Sequence, residues 1–194
     1  MGLPDPFHCV PDREFPDATA AFESLLAADS DAYRGVLVDL DGVLLEVDGN
    51  HLAPVVGENV EQSAVDLLQE VAAKFGAVIV TNRVRHKTFD PAEIEAVFGV
   101  PVVSGTPPKP SLEIFHTGVR ELGVDFEHRG DVVMVGDSPY QDIYGAKRAG
   151  LQTFQVAQDR RKYHFWQMAG KLLADGVQAV VKLADRGRRA LSGR

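Results

Sequence analysis

Asp39-Leu40-Asp41-Gly42-Val43 sets two carboxylates two residues apart where an apolar run beginning at Gly35 comes to its end. On an extended chain that spacing turns both side chains toward the same side, and Gly42 suits an immediate turn. Two close carboxylates repel unless a cation lies between them, and Mg²⁺, which takes oxygen ligands and substrate phosphates, would relieve the repulsion. Gly136-Asp137-Ser138-Pro139-Tyr140-Gln141-Asp142 supplies two more acids after another apolar run. Asp39, Asp41, Asp137 and Asp142 are therefore the candidate metal ligands. Asp142 has a second reading, as a cap or dipole partner of the helix beginning there. A phosphate dianion also needs donors. The Thr81 hydroxyl, the following backbone N–H of Asn82, and Lys109 are the candidate phosphate-binding groups. Lys109 stands between Pro108 and Pro110, which stiffen its backbone and direct its side chain. Taken singly, each position has a bland explanation, as a helix cap, an ordinary threonine or a solvated loop lysine.

Shared placement is what joins them. The chain alternates short β-branched runs with longer stretches of helical period, the pattern of an α/β protein. Gly35–Asp39, Ala77–Thr81, Pro101–Val103, Asp131–Val135 and Thr153–Val156 read as five strands buried on both faces of a parallel sheet. Val60, Ala64, Leu67, Leu68, Val71 and Phe75 recur at helical spacing before Gly76, and helices are expected near 91–98, 111–122 and 141–149. Residues 18–28 add an amphipathic helix. The expected fold is a three-layer, doubly wound, Rossmann-like parallel sheet, in which ligands sit at the carboxyl ends of the strands. Asp39 and Thr81 fall at such ends, and Asp137 follows one.

In order and type these positions resemble the haloacid dehalogenase (HAD) superfamily: Asp-x-Asp after the first strand, Ser or Thr after the second, a Lys, then Gly-Asp-x-x-x-x-Asp. The matching stretch runs from about Tyr33 to Val156. The resemblance implies a Mg²⁺-dependent phosphatase in which Asp39 is the nucleophile and forms an aspartyl-phosphate. Asp41 would protonate the leaving oxygen and then activate water. Asp39, the Asp41 backbone carbonyl and Asp137 would hold Mg²⁺, while Thr81 and Lys109 grip the phosphoryl group. Asp41 separates the chain from the dehalogenases of the superfamily, which lack that second acid. Many relatives insert a cap domain between these motifs. Here the intervals are 40 residues from Asp41 to Thr81 and 28 from Thr81 to Lys109, both largely used by a helix and a strand, so a capless (subclass IIIA) enzyme with at most a flap at about 45–59 is expected. Among capless members the chain looks most like the phosphatidylglycerophosphate phosphatase-like branch, through Gly145-Ala-Lys-Arg-Ala149-Gly150 after the last motif; that branch has Asn where Gly42 stands here.

Composition bounds the rest. The 194 residues suit one domain, 1–194, divided into an N-terminal helical segment (1–32), a catalytic core (33–156) and a basic helical segment (157–194). Cys9 is the only cysteine, so neither an internal disulfide nor a zinc site built by cysteine spacing is open to the chain, and a reducing cytoplasmic setting is expected. No secretory signal pattern begins the sequence, and no apolar stretch approaches the roughly 20 residues that cross a bilayer. Residues 160–194 hold nine Lys or Arg against Asp175 and Asp185, a net +7, leaving 1–159 at −15. Phe165, Ala169, Leu172, Leu173, Val177, Val180, Val181 and Ala184 form a helical stripe beside those bases. The stripe fits peripheral contact with anionic membrane lipid at the inner face, or packing on the sheet. A phosphomonoester substrate, no nucleic acid, and a homo-oligomer whose neighbour covers the open site complete the expected partners. The alternative substrate is a small soluble sugar phosphate or nucleotide. A receiver-type signalling domain shares the acids, Thr and Lys-Pro, but there Lys comes last, whereas Lys109 precedes the Asp137 strand. A non-catalytic scaffold would not need every acid the chemistry requires.

Overall fold

The computed structural model describes residues 9–45, 60, 62–83, 90–105 and 107–157, all within the unit 1–158. Six strands run β1 (Arg13–Phe15), β2 (Gly35–Val38), β3 (Ala77–Thr81), β4 (Val102–Ser104), β5 (Val132–Gly136) and β6 (Gln152–Val156). They form one sheet in the order β1-β6-β5-β2-β3-β4, with every pair parallel. The helices are α1 (Ala18–Leu26), α2 (Gln62–Phe75), α3 (Pro91–Phe98), α4 (Leu112–Glu121) and α5 (Gly145–Ala149).

Period-2 alternation builds three layers. Val36, Val38, Ile79, Val133 and Val135 face one side and pack with Phe22, Leu25, Leu68, Val71, Ile94 and Phe98 of α1, α2 and α3. Leu37, Val78, Val80, Val132 and Met134 face the other side, with Phe115, Val119, Ala146 and Ala149 of α4 and α5. Because both faces are covered, β2, β3 and β5 read as unbroken apolar runs instead of alternating ones. Helix α4 lies close on the sheet: a Cβ at Gly118 would stand 3.0 Å from Leu37 and 3.1 Å from Val80. The doubly wound α/β architecture is as expected. Among the described residues, no helix is long and apolar enough to cross a membrane.

Three details depart from the sequence reading, and a fourth bears on the expected flap. The sheet has six strands among the described residues, not five. The extra one, β1, is three residues long with Arg13 and Glu14 exposed and Phe15 half-buried, so it carries no apolar run; it exists by pairing with β6, and the N-terminal segment is thus strand plus helix. Helix α1 stops at Leu26, short of Ala28. The region expected as a helix from Gln141 starts earlier, as a π-helical turn over Pro139–Tyr144 that leads into α5. Finally, the expected flap begins and ends beside itself, because Leu45 bridges to Val60; residues 46–59, like the basic stripe beyond Ala157, lie outside the described residues.

Strand order decides where the polar residues meet. The chain winds β2-β3-β4 in one direction, then returns to place β5 on the other side of β2. The crevice at such a reversal opens at the carboxyl ends of β2 and β5.

Candidate active site at the carboxyl ends of the central strands

Asp39 is the first residue past β2, its N–H still donating to the Val135 carbonyl at 2.9 Å. Its Oδ1 accepts from the Leu40 N–H at 2.7 Å. Register puts Val38 opposite Ile79 and opposite Val135, so Asp39, Thr81 and Asp137 emerge side by side from three adjacent strands. The polar residues Asp39, Thr81, Lys109, Asp137 and Asp142 are all at most 6% exposed. For Asp and Lys that degree of burial is tolerated only with partners.

Lys109 is the partner at the centre. Its Nζ lies 2.6 Å from Asp39 Oδ1 and 2.6 Å from Asp142 Oδ1. The backbone that carries it is gripped by Asn82, whose side-chain oxygen accepts from the Lys109 N–H at 2.6 Å while its amide donates to the Lys109 carbonyl at 3.3 Å. Asn82 thereby locks the end of β3 to the Pro-Lys-Pro turn. Only its backbone N–H had been singled out from sequence; the side-chain role becomes visible in three dimensions.

Asp142 is presented by the π-helical turn. The wider ring is closed by the Ile143 N–H donating to the Ser138 carbonyl at 3.2 Å, and Ser138 Oγ caps the turn by accepting from the Gln141 N–H at 3.2 Å. The Ser138 N–H in turn donates to Asp142 Oδ2 at 3.0 Å. Asp142 therefore faces inward to Lys109 while holding its own loop. One carboxylate oxygen from each of Asp39, Asp137 and Asp142 lies within 4.8 Å of the others. Gly42, at φ 84°, packs so tightly on Asp137 that a Cβ would run into its carboxylate. The glycine after Asp41 is thus both a turn residue and a wall of the acidic pocket.

Asp41 goes elsewhere. Its carboxylate is held by Arg83, with Nη2 donating to Oδ1 at 2.6 Å and Nε to Oδ2 at 2.9 Å and Oδ1 at 3.1 Å. The structure brings Asp39, Lys109, Asp137 and Asp142 into one cluster and sets the Asp41 side chain beside it, outside the group of three carboxylates close enough to share an ion. Thr81 borders the cluster; its Oγ1 accepts from the Arg83 N–H at 3.1 Å, which leaves the hydroxyl proton to donate. Arg83 was not read from the sequence. A cation two residues past a strand-end Thr could have drawn notice, as the acid two past Asp39 did.

Electrostatics follow from crowding. Burial alone would lower the Lys109 ammonium, but the carboxylates of Asp142 and Asp39 outweigh it and hold the lysine protonated above its ordinary value. Burial, then the charges of Asp142 and Asp137, push the Asp39 carboxyl well above the usual carboxylate range against the pull of Lys109. Lys109 pairs with two of these carboxylates, Asp39 and Asp142, and Asp137 lies in the same close group of acids. Its donors are carboxylate oxygens, the kind a hard divalent cation takes. The fit to such a cation is therefore good in both charge and chemistry.

Residues 107–178 match the family described as HAD-hydrolase-like. No curated protein matches the sequence. Among solved structures, YfnB of Bacillus subtilis, assigned as a HAD-hydrolase and bound to magnesium, is similar at 16% identity over 69% of this chain and 98% of its own, with a TM-score of 0.50. An uncharacterized protein from Listeria monocytogenes serotype 4b aligns at 23% identity over 64% of this chain and 82% of its own, TM-score 0.47. A haloacid dehalogenase-like family hydrolase from Streptococcus pneumoniae aligns at 12% identity over 69% and 91%, TM-score 0.46. The matched stretch contains Lys109, Asp137 and Asp142, and the fold supplies the strand ends for the rest. The family likeness thus rests on residues 107–178, and the parallel α/β sheet agrees with it in fold.

Proposed function

We propose that the chain is a Mg²⁺-dependent phosphomonoester hydrolase that works through an aspartyl-phosphate on Asp39. The observation that carries this reading is the buried cluster itself: Lys109 Nζ 2.6 Å from both Asp39 and Asp142, with Asp137 completing three carboxylates whose oxygens lie within 4.8 Å of one another. Phosphoryl transfer asks a protein mainly for in-line positioning and for cationic groups around the transferred oxygens.

Asp39 has the placement of a nucleophile: buried at a strand end, oriented by the Leu40 N–H and Lys109. Asp39, Asp137 and the Asp41 backbone carbonyl would hold the ion, with Asp142 beside them. When bound, Mg²⁺ would supply charge neutralisation of the phosphoryl oxygens and of the three acids. Lys109 provides the second positive charge, fixed by the Asn82 side chain and by Asp142. The Thr81 hydroxyl donates to a phosphoryl oxygen. Asp41, not committed to the cluster, would give a proton to the leaving oxygen and take one from the attacking water.

For the substrate, the charge split and the short motif intervals favour a phosphate at a lipid surface, of which phosphatidylglycerophosphate is one case. A body at −15 is repelled by anionic membranes, while bases on 160–194 gain about 1 kcal/mol each near such a surface. The capless reading leaves the site open to a large substrate.

The test is phosphate release from p-nitrophenyl phosphate with Mg²⁺, with EDTA abolishing it. Asp39→Asn should lose both turnover and the metal-dependent fluoride adduct, whereas Asp41→Asn keeps the nucleophile and still traps. Full activity without metal, or an adduct indifferent to Asp39→Asn, refutes the mechanism. Vesicles carrying a phosphorylated lipid, compared with soluble sugar and nucleotide phosphates, decide the substrate: preference for the soluble esters dismisses the lipid.

A further inference from the structure

We infer that Arg83 is a positioning residue for Asp41, keeping that carboxylate out of the metal-binding cluster and aligned for proton transfer. The inference rests on the phosphatase reading and adds to it a residue that lies outside the four motifs.

The problem it solves is geometric. Asp39 and Asp41 leave the same strand end two residues apart, within reach of the same pocket, yet they have to do different things. A nucleophile must face the ion and the phosphorus. An acid–base group must keep its oxygens off the ion and near the leaving oxygen. Nothing in the two side chains themselves separates those roles, since both are aspartates.

The separation comes from their cations. Asp39 is held by Lys109, 1% exposed in its side chain. Asp41 is held by Arg83, whose side chain is 9% exposed against 16% for Asp41. A guanidinium that meets both oxygens fixes the plane of the carboxylate as well as its distance; an ammonium fixes only distance. Arg83 is itself anchored, because its N–H donates to Thr81 Oγ1, and β2 and β3 are adjacent and in register. The end of β3 thereby governs the acid that follows β2. The pair is largely sheltered from solvent, unlike a typical surface ion pair, whose contribution is small.

Two other roles for Arg83 are distinguishable from this one. A substrate clamp would raise KM; a purely structural residue would lower stability and act independently of Asp41. The experiment is a double-mutant cycle of Arg83→Ala and Asp41→Asn, read as kcat and KM with Mg²⁺ on p-nitrophenyl phosphate and on an alkyl phosphate such as glycerol phosphate, with thermal melts alongside. Arg83→Ala should lower kcat by about 100-fold with KM nearly unchanged. The loss should be larger on the alkyl ester, whose leaving oxygen needs the proton more. In the Asp41→Asn background the same change should cost nothing further. Arg83→Lys, which keeps charge and stem and so guards against a folding failure, should recover less than a tenth of the activity.

Additive losses in the cycle, a rise in KM with kcat intact, or full activity in Arg83→Lys overturns the inference while leaving the phosphatase in place. No turnover of either ester by the unmodified chain overturns the phosphatase reading and the inference with it.

Discussion

Two carboxylate–ammonium groups stand at different places in the same sheet, and they have opposite electrostatic characters. At the edge, Asp12 Oδ2 accepts from the Thr153 N–H at 2.8 Å and the Thr153 hydroxyl at 2.9 Å, and Oδ1 from Lys147 Nζ at 2.8 Å. Side chains of Lys147 and Asp12 remain 27% and 43% exposed. Partial burial would raise Asp12, but Lys147 and Thr153 outweigh it and hold the carboxyl below its ordinary range. One acid meets one base, both keep water, and the result ties the N-terminal segment to β6 across 141 residues. At the centre, one lysine meets Asp39 and Asp142, two of three crowded buried acids, and Asp39 is pushed the other way. A fold needs the first arrangement to close an edge. The second crowds three buried carboxylates together, a repulsion that a bound cation would relieve.

Breaking the central cluster should have the largest effect. Lys109→Met leaves Asp39, Asp137 and Asp142 facing one another without their cation, and folding stability in EDTA should fall by about 3–5 kcal/mol by urea titration. Added Mg²⁺ should return part of it. A variant as stable as the unmodified protein in EDTA would mean that the acids are not mutually repelling as described.

Metal addition to the unmodified protein is the next test of the imbalance. If the three acids form the ion site, Mg²⁺ at about 100 times its Kd adds roughly 2.7 kcal/mol to stability, seen as a rise in Tm. Asp137→Asn should remove most of that rise. An undiminished rise in Asp137→Asn would place the ion elsewhere.

The edge should respond least. Asp12→Asn gives up a charge-assisted contact that solvent already screens, so a loss of about 1 kcal/mol or less is expected. Its pH dependence has a definite sign. Because the folded carboxyl lies below its ordinary value, its contribution is complete above the unfolded pKa of about 4 and is lost as pH falls through the lower folded value. The gap between Asp12→Asn and the unmodified protein should therefore be full at neutral pH and narrow on acidification. A gap that widens toward acid pH would reverse the assigned direction.

Legibility followed burial. The strands β2, β3 and β5 were readable to within a residue or so because both faces are covered, which demands an unbroken apolar run. Helix α3 was readable from Pro91 to Phe98 because Asp90 caps it, accepting from the Ala92 N–H at 3.2 Å, and Gly99 ends it at φ 70°. Asp39, Thr81 and Asp137 stood out as polar residues beside such runs, and Lys109 through its flanking Pro108 and Pro110. β1 did not, since Arg13-Glu14-Phe15 has no run, and an edge strand is made by the neighbour it pairs with.

By itself, then, the sequence determined the α/β class, the order of the motifs and which strand ends carry acids, because local periodicity and turn residues act over a few positions. Tertiary structure alone decided which acid meets which base. Asp39 and Asp41 are indistinguishable as residue types; Lys109, 70 positions from the first, and Arg83, 42 positions from the second, tell them apart. Ion pairing depends on distances of a few ångströms, and only the winding order that sets β3 beside β2 and β4 beside β3 brings those partners within that range.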